Sequence, residues 1–347
     1  MLVHTRLACF VLACAHAEDF IGSLVNLTLY PIAEPVSLAA LADKSRQALE
    51  ETGIASFPGF LTSEALELAV EEAVKSSASS AWITYRKHNA WQTEHNSSLP
   101  NAHVSNLFMR TRVASVAYDH IGPTLRSLYE APELLAFVSQ LLGQRMYRLA
   151  DPLGACSITV FRDGCACPAV HPPSTRAPRG SQAHASWLTR HLARMLLRSS
   201  GEHSYHFDEA EYTVTLSLQQ ADEGGDFVYT PSIRTDAVDL ASAQVASILR
   251  AQTDFSFELP PTEATDADET CVAPIPVRTA PFAPGTLQIF AGRYSLHAVK
   301  LMHGPRERLV AVLCFATAPG VRNSLAVQEM FWGRRIPEPL PEAECAR

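Results

Sequence analysis

His206, Asp208 and His297 are the residues whose types and spacing offer chemistry. In Tyr205-His206-Phe207-Asp208 the chain enters a strand, where alternation turns the imidazole and the carboxylate to one face and Phe207 to the other. A second stretch, Gly285 to His297, reads as a strand leading to a turn that presents a further imidazole. The distance in sequence between Asp208 and His297 suits two non-adjacent strands that meet across a sandwich. Two imidazoles and one carboxylate form the facial set that holds Fe(II) in non-haem oxygenases, with three coordination positions left open. About ten residues beyond His297, Arg306-Glu307-Arg308 heads the apolar run Leu309 to Leu313. A guanidinium there is placed to clamp a carboxylate through two parallel hydrogen bonds.

Other polar residues near these motifs have plainer explanations. His203 lies three positions before His206, so alternation sends it to the opposite face as a rim or solvent residue. His303 precedes Gly304-Pro305 and reads as a loop residue. Cys165-x-Cys167 with His171 is half a zinc site at most, since the second ligand pair is missing. Gly224-Gly225 is a turn between strands.

The elements that must position the candidate residues change character along the chain. Ser37 to Glu51, Ser63 to Lys75 and Pro132 to Leu142 carry apolar residues at helical spacing, the last with Pro in its first turn and Gly143 beyond it. From Leu153 the apolar period shortens to two. Strands are expected at Ser157–Phe161, Glu211–Leu218, Asp226–Thr230, Thr286–Phe290 and Leu309–Phe315, with a helix over Asp239 to Arg250. Short strands separated by Gly, Pro and Asp imply an antiparallel jelly roll. The expected fold class is therefore α+β, a jelly-roll core with N-terminal packing helices.

The expected organisation is a secretory signal at 1–17, a mainly helical scaffold at 18–150, the jelly-roll core at 151–320 and a C-terminal tail at 321–347. Within the core, 165–200 is rich in Pro, Arg, Ser and His, lacks acidic residues and reads as an insertion; Pro260 to Pro284 reads as a long exposed loop. The start, with Arg6, an apolar run to Ala15 and Ala15-His16-Ala17, has the layout of a cleavable signal, with a buried helix as the other reading. With a signal the chain enters the secretory pathway; without one it is cytoplasmic. The apolar run is too short to span a bilayer. A formal charge of −8 in 347 residues argues against nucleic acid as partner, because phosphate binding needs clustered Lys and Arg. The eight cysteines show no regular framework.

The run Tyr205 to Asp208, then Thr213 to Gln219, Gly224 to Pro231, Pro284 to Leu287, Gly292 to His297, and Arg306 with Arg308 resembles the 2-oxoglutarate/Fe(II)-dependent dioxygenase superfamily. Within it the chain looks most like a group of small-molecule oxygenases typified by ArpA-like proteins, and the similarity reaches back to Leu128-Tyr129-Glu130 and Ala150 to Gly154. The resemblance implies a double-stranded β-helix with Fe(II) on His206, Asp208 and His297. It also implies that Arg308 or Arg306 binds the distal carboxylate of 2-oxoglutarate, with dioxygen as co-reactant. Arg308 adjoins the apolar strand directly and is the preferred clamp. The implied reaction is hydroxylation or desaturation of a small molecule, since Asp208 fills the third ligand place and leaves halide no vacated position. A prolyl hydroxylase-like modifier of proteins and a jelly-roll binding module without turnover are the alternative readings.

Overall fold

The computed structural model describes residues 20–163, 201–236, 238–251 and 275–337. The signal at 1–17 and the insertion at 165–200, with its Cys-x-Cys, lie outside the described residues, as does most of the loop expected at 260–284.

Local sequence sets the helix ends. Helix α1 (Pro35–Thr52) starts where the Glu34 carboxylate accepts the amides of Val36 and Ser37, and it stops at Gly53, whose φ of 85° only glycine adopts cheaply. Helix α2 (Ser63–Ser80) is capped by Thr62 and buries Ala65, Ala69, Ala73 and Ser77, a stripe of small residues that lets the helix lie close to the sheet. Helices α3 (Pro123–Glu130) and α4 (Pro132–Leu141) both begin with proline, and α4 buries Leu134, Phe137, Val138 and Leu141. Helix α5 (Ser242–Ala251) starts three residues after the expected Asp239 and ends one residue beyond the expected Arg250.

Fourteen strands among the described residues run β1 (Ile54–Phe57), β2 (Trp82–His88), β3 (Met109–Val116), β4 (Tyr147–Arg148), β5 (Cys156–Phe161), β6 (Glu202–His206) and β7 (Tyr212–Gln219). They continue with β8 (Glu223–Gly224), β9 (Phe227–Ser232), β10 (Arg278–Thr279), β11 (Leu287–Phe290), β12 (Ser295–Val299), β13 (Met302–His303) and β14 (Arg308–Ala316). Twelve form one sheet whose main path is β1-β11-β7-β14-β5-β3-β6-β12-β9-β10, and β13 pairs with β8. Every pairing is antiparallel. Strand β3 turns the corner, pairing with β5 through Ala114 to Val116 and with β6 through Thr111 and Arg112. The two arms face each other across an inner aromatic layer, in which Phe227 of β9 meets Phe290 of β11 at 5.1 Å between ring centroids. This is the expected α+β jelly roll. The outer face of the first arm is buried under the N-terminal helices, with Phe57, Phe60 and Phe137 in mutual contact.

Two parts differ from expectation. The 18–150 region supplies β1, β2, β3 and β4 to the sheet, so it contributes to the barrel as well as forming a helical scaffold. The stretch expected as a tail carries helix α6 (Leu325–Trp332), capped by Ser324. Its fully buried Gln328 donates to the buried Asp151 carboxylate, which also receives the amides of Leu153, Gly154 and Asn323. At the other side of the barrel the amide of Gly201 donates to Arg162 O at 2.8 Å, so the two ends of the 164–200 segment meet. Among the described residues no helix is long and apolar enough to cross a membrane.

Candidate metal centre and cavity

Strands β6 and β12 are hydrogen-bonded neighbours, and His206 and His297 are direct cross-strand partners with ring centroids 4.3 Å apart. The expectation of two non-adjacent strands is therefore corrected. So is the turn expected to present His297, which lies mid-strand. Sequence separation misled here because the intervening β7 to β11 belong to both arms and return the chain beside β6. Asp208 follows the end of β6, and its amide donates to Gly292 O. Its Oδ1 lies 3.5 Å from His206 Nε2 and 3.4 Å from His297 Nε2.

Hydrogen bonds to the far ring nitrogens fix both tautomers. His206 Nδ1 donates to Ser204 O at 2.8 Å and His297 Nδ1 to Ser295 O at 2.9 Å, which leaves each Nε2 lone pair aimed at the shared space. Thr213 Oγ1 donates to Asp208 Oδ2 at 2.6 Å and holds the carboxylate's other oxygen. Gly292 is required beside it, because a Cβ there would collide with the Asp208 carboxylate and lie 2.6 Å from Thr213 Oγ1. One ligand atom from each of the three residues lies within 4.8 Å of the others. Octahedral ligands about 2.1 Å from a metal are about 3 Å apart, so small adjustments would bring this set onto one ion.

Burial dominates the electrostatics of the triad and its members offset it for one another. Burial alone would raise the Asp208 carboxyl, yet the adjacent His297 and His206 hold it well below the usual carboxylate range. Burial would lower His297, but Asp208 raises it. Burial and the neighbouring His297 lower His206. The centre thus favours an ionised carboxylate between imidazoles, the donor set a divalent cation needs.

His203 is not on the opposite face. Its ring stacks on His206 at 3.7 Å and 17° and lines the cavity. The cause is a β-bulge, since His297 pairs with His206 and Val299 with His203, so a step of three along β6 is matched by a step of two along β12. One extra residue reverses the alternation. Burial pushes this imidazole well below its ordinary value, and its Nε2 is buried without a hydrogen-bond partner among the described residues. Behind it, buried His88 is satisfied at both nitrogens by Asn89 O and Thr111 Oγ1.

The two arginines have different surroundings. Arg308 opens β14, is 5% exposed, and lies under the rings of Phe161 and Phe282 at 5.0 and 5.7 Å. Among the described residues it makes no hydrogen bond or ion pair, and burial pushes its guanidinium down to about 10 despite the attraction of Asp226. Gly225, with φ of 72°, leaves room for its stem, since a Cβ there would lie 2.9 Å from Arg308 Cδ. Arg306 points outward with a side chain 57% exposed and pairs with Asp222 at 2.8 Å.

A cavity of about 160 Å³ contains the triad, His203 and Arg308. Arg308, Val310, Val312 and Cys314 line it along one face of β14, so it runs on the order of 20 Å from the Arg308 end to the Cys314 end. At the Cys314 end it is bounded by Gly154, Asn323 and the α6 residues Val327, Phe331 and Trp332, and Gln92 also lines it. Sequence reasoning did not find Gln92, Thr213, Phe331 or Trp332. Thr213 had a usable signal, a hydroxyl at the head of the next strand; the others reach the site only through tertiary packing.

No known protein-family model matches the chain, and no curated protein does. Among solved structures it is similar to the non-heme alpha-ketoglutarate dependent epimerase SnoN from nogalamycin biosynthesis, at 14% identity over 80% of this chain and 84% of that chain with a TM-score of 0.46. It is similar to the non-heme alpha-ketoglutarate dependent carbocyclase SnoK from the same biosynthesis, at 16% identity over 87% and 96% with a TM-score of 0.43. A third is an oxidoreductase of the 2OG-Fe(II) oxygenase family from Burkholderia pseudomallei, at 12% identity over 81% and 92% with a TM-score of 0.41.

Proposed function

We propose that this chain is an Fe(II)- and 2-oxoglutarate-dependent dioxygenase that hydroxylates or desaturates a small molecule. The observation that carries this reading is one cavity holding both a convergent His206, Asp208 and His297 set and a buried Arg308 that is unpaired among the described residues. A buried cation without a partner is costly, so its retention beside a metal-ligand set points to an anionic ligand that completes it. The donors fit iron: both imidazoles present Nε2, the carboxylate is held ionised, and the set occupies one face only.

In this reading His206, Asp208 and His297 hold Fe(II), and Arg308 receives the distal carboxylate of 2-oxoglutarate while Phe161 and Phe282 keep water from that ion pair. When bound, iron, cosubstrate and dioxygen supply the oxidation of a substrate C–H bond, coupled to loss of CO₂ from 2-oxoglutarate to give succinate. The chain's own residues orient these partners. Thr213 keeps Asp208 from rotating, and the Nδ1 bonds keep both imidazoles in the ligating tautomer. Asp208 occupies the third protein ligand place, which favours hydroxylation or desaturation over halide transfer.

Anaerobic addition of Fe(II) and then 2-oxoglutarate tests metal, cosubstrate and geometry together. The expected result is a weak visible charge-transfer band that saturates with 2-oxoglutarate and is lost in Asp208→Ala. A protein that binds Fe(II) but gives no band with 2-oxoglutarate would overturn the cosubstrate assignment.

A further inference from the structure

The inner face of the first arm carries a set of hydroxyls that the fold itself does not use. Ser115, Ser157, Thr159 and Thr215 all line the cavity, and none of them makes a side-chain hydrogen bond among the described residues. Thr213, a fifth hydroxyl on this face, is engaged by Asp208. Ser115, Ser157 and Thr215 keep 3%, 7% and 9% of their surface accessible, and Thr159 is only half-buried, so the four are open to whatever fills the cavity.

Strand register places these groups side by side. Ser115 of β3 and Thr159 of β5 are direct cross-strand partners, which puts their Cβ atoms about 5 Å apart. Ser157 is the next residue on the same face of β5, about 7 Å along the strand. Val312 of β14 pairs with Ser157 on one side and with Thr215 of β7 on the other, so Thr215 lies in the same row, about 10 Å from Ser157. The result is a hydroxyl floor spread over four neighbouring strands. The alternation is strict, because the intervening residues Ile158, Val160, Val214 and Leu216 all point into the apolar core on the other face.

The floor lies to one side of the arginine. Arg308 pairs with Phe161 at the start of β14. From that pair Ser157 is four residues along β5, about 13 Å, and Ser115 is two strands away from β14, about 10 Å. Apart from the histidines and Asp208, the charged residues that line the cavity are Arg308 and Glu209, and Glu209 already accepts the amide and hydroxyl of Ser324. An acid or amine over the floor would be desolvated without a counter-ion. Apolar walls come from elsewhere: Phe227 of β9 lies 5.8 Å from the His297 ring and Phe331 of α6 lies 5.9 Å from the His203 ring, and both line the cavity.

A hydroxyl donates or accepts by turning about its C–O bond, so a patch of them suits a ligand whose own hydroxyls do both. A ligand that covers the floor without such groups forfeits the hydrogen bonds that solvent makes there. We propose that the substrate is a neutral polyhydroxylated ring, a sugar or cyclitol moiety, with hydroxyls bonded to Ser115, Ser157 and Thr159 and its C–H face against Phe227 and Phe331. This rests on the oxygenase reading of the same cavity and names its substrate class.

The test is binding of small polyols to the full chain without iron, titrated by ligand-observed saturation transfer. The probes are methyl β-glucopyranoside, methyl α-mannopyranoside, xylose and myo-inositol, with cyclohexanol and glucuronate as ring-sized controls that carry one hydroxyl and a charge. At least one polyol is expected to bind saturably and more tightly than both controls. Ser115→Ala combined with Ser157→Ala should weaken that polyol by about tenfold or more and cyclohexanol by less than about threefold, and Thr159→Val, which keeps the side-chain shape, should weaken the polyol by about fivefold. The ligand-free double variant should unfold at the parent's temperature or above, because no residue of the fold loses a partner; marked destabilisation would make the hydroxyls structural and overturn the proposal. In anaerobic titration with Fe(II), the double variant should bind 2-oxoglutarate within about twofold of the parent, and a tenfold loss would assign the floor to the cosubstrate and overturn it too. So would the absence of any polyol that outbinds cyclohexanol and glucuronate, or unchanged polyol affinity in the double variant. A missing charge-transfer band in the parent would instead fail the oxygenase reading, and the iron-free polyol result would be unaffected by it.

Discussion

Replacing Arg308 by methionine separates what the buried guanidinium costs the fold from what it gives a ligand. Burial pushes this group down to about 10, and at about 1.36 kcal/mol for each tenfold change in proton equilibrium the charged form is penalised by about 3 kcal/mol. The methionine stem fills much of the slot between Phe161 and Phe282 without that penalty. Ligand-free Arg308→Met should therefore unfold at the same temperature as the parent or higher. In the liganded state the balance reverses. Removing one partner of a desolvated ion pair costs about 2–5 kcal/mol, which is about a 30- to several-thousand-fold loss in 2-oxoglutarate affinity. Arg306 supplies the control, since its pair with Asp222 is exposed and worth at most about 1 kcal/mol, so Arg306→Ala should change the affinity by less than about fivefold. The assays are thermal unfolding of the ligand-free variants and anaerobic 2-oxoglutarate titration at saturating Fe(II). Near-normal titration of Arg308→Met with loss in Arg306→Ala would exchange the two roles, and a marked destabilisation of ligand-free Arg308→Met would refute the energetic argument.

Gly292→Ala should lower Fe(II) affinity by about 10- to 100-fold with little change in the folded sheet, because the new methyl displaces the Asp208 carboxylate and Thr213 Oγ1 together; isothermal titration against Thr213→Val, which loses only the hydroxyl, measures the two effects. Burial raises both cysteine thiols among the described residues, Cys314 to about 12 and Cys156 further, from an ordinary value near 9. A raised folded-state pKa means that their contribution is fully present below pH 9 and is lost as pH rises from 9 towards 12, by up to about 1.4 kcal/mol per pH unit for each thiol. Denaturant unfolding between pH 8 and 10.5 should accordingly show a shallower decline in Cys156→Ala than in the parent, and an identical slope would contradict it.

The strands of the first arm were legible because their alternation is strong. Cys156–Phe161, Tyr212–Gln219 and Arg308–Ala316 lie within a residue or two of the spans expected from period-two patterns, and α4 within one residue of its proline and glycine signals. The candidate ligands could be read because two of them sit in one short motif. What could not be read depends on partners. Met109–Val116 carries arginines at alternate positions and looks like surface, yet it joins the two arms of the sheet. His203 was placed on the wrong face because a bulge is a property of the strand pair, visible only against β12. Gln328 would look exposed on a free helix, and it is buried only because Asp151 waits for it 177 residues earlier in the chain.

The hydrogen bond from Gly201 to Arg162 has a consequence for how this chain can change over time. A strand-to-strand connection whose two ends already touch is a closed gate in the ladder, and lengthening such a connection adds a loop-closure cost without moving the ends. That cost grows as the logarithm of length, about 0.6 kcal/mol for each doubling. The position just ahead of the first candidate ligand can therefore accept or shed dozens of residues without re-registering β5 against β14 or β6 against β12, while a single residue gained inside β6 itself would undo the phase on which His203 and His206 share a face.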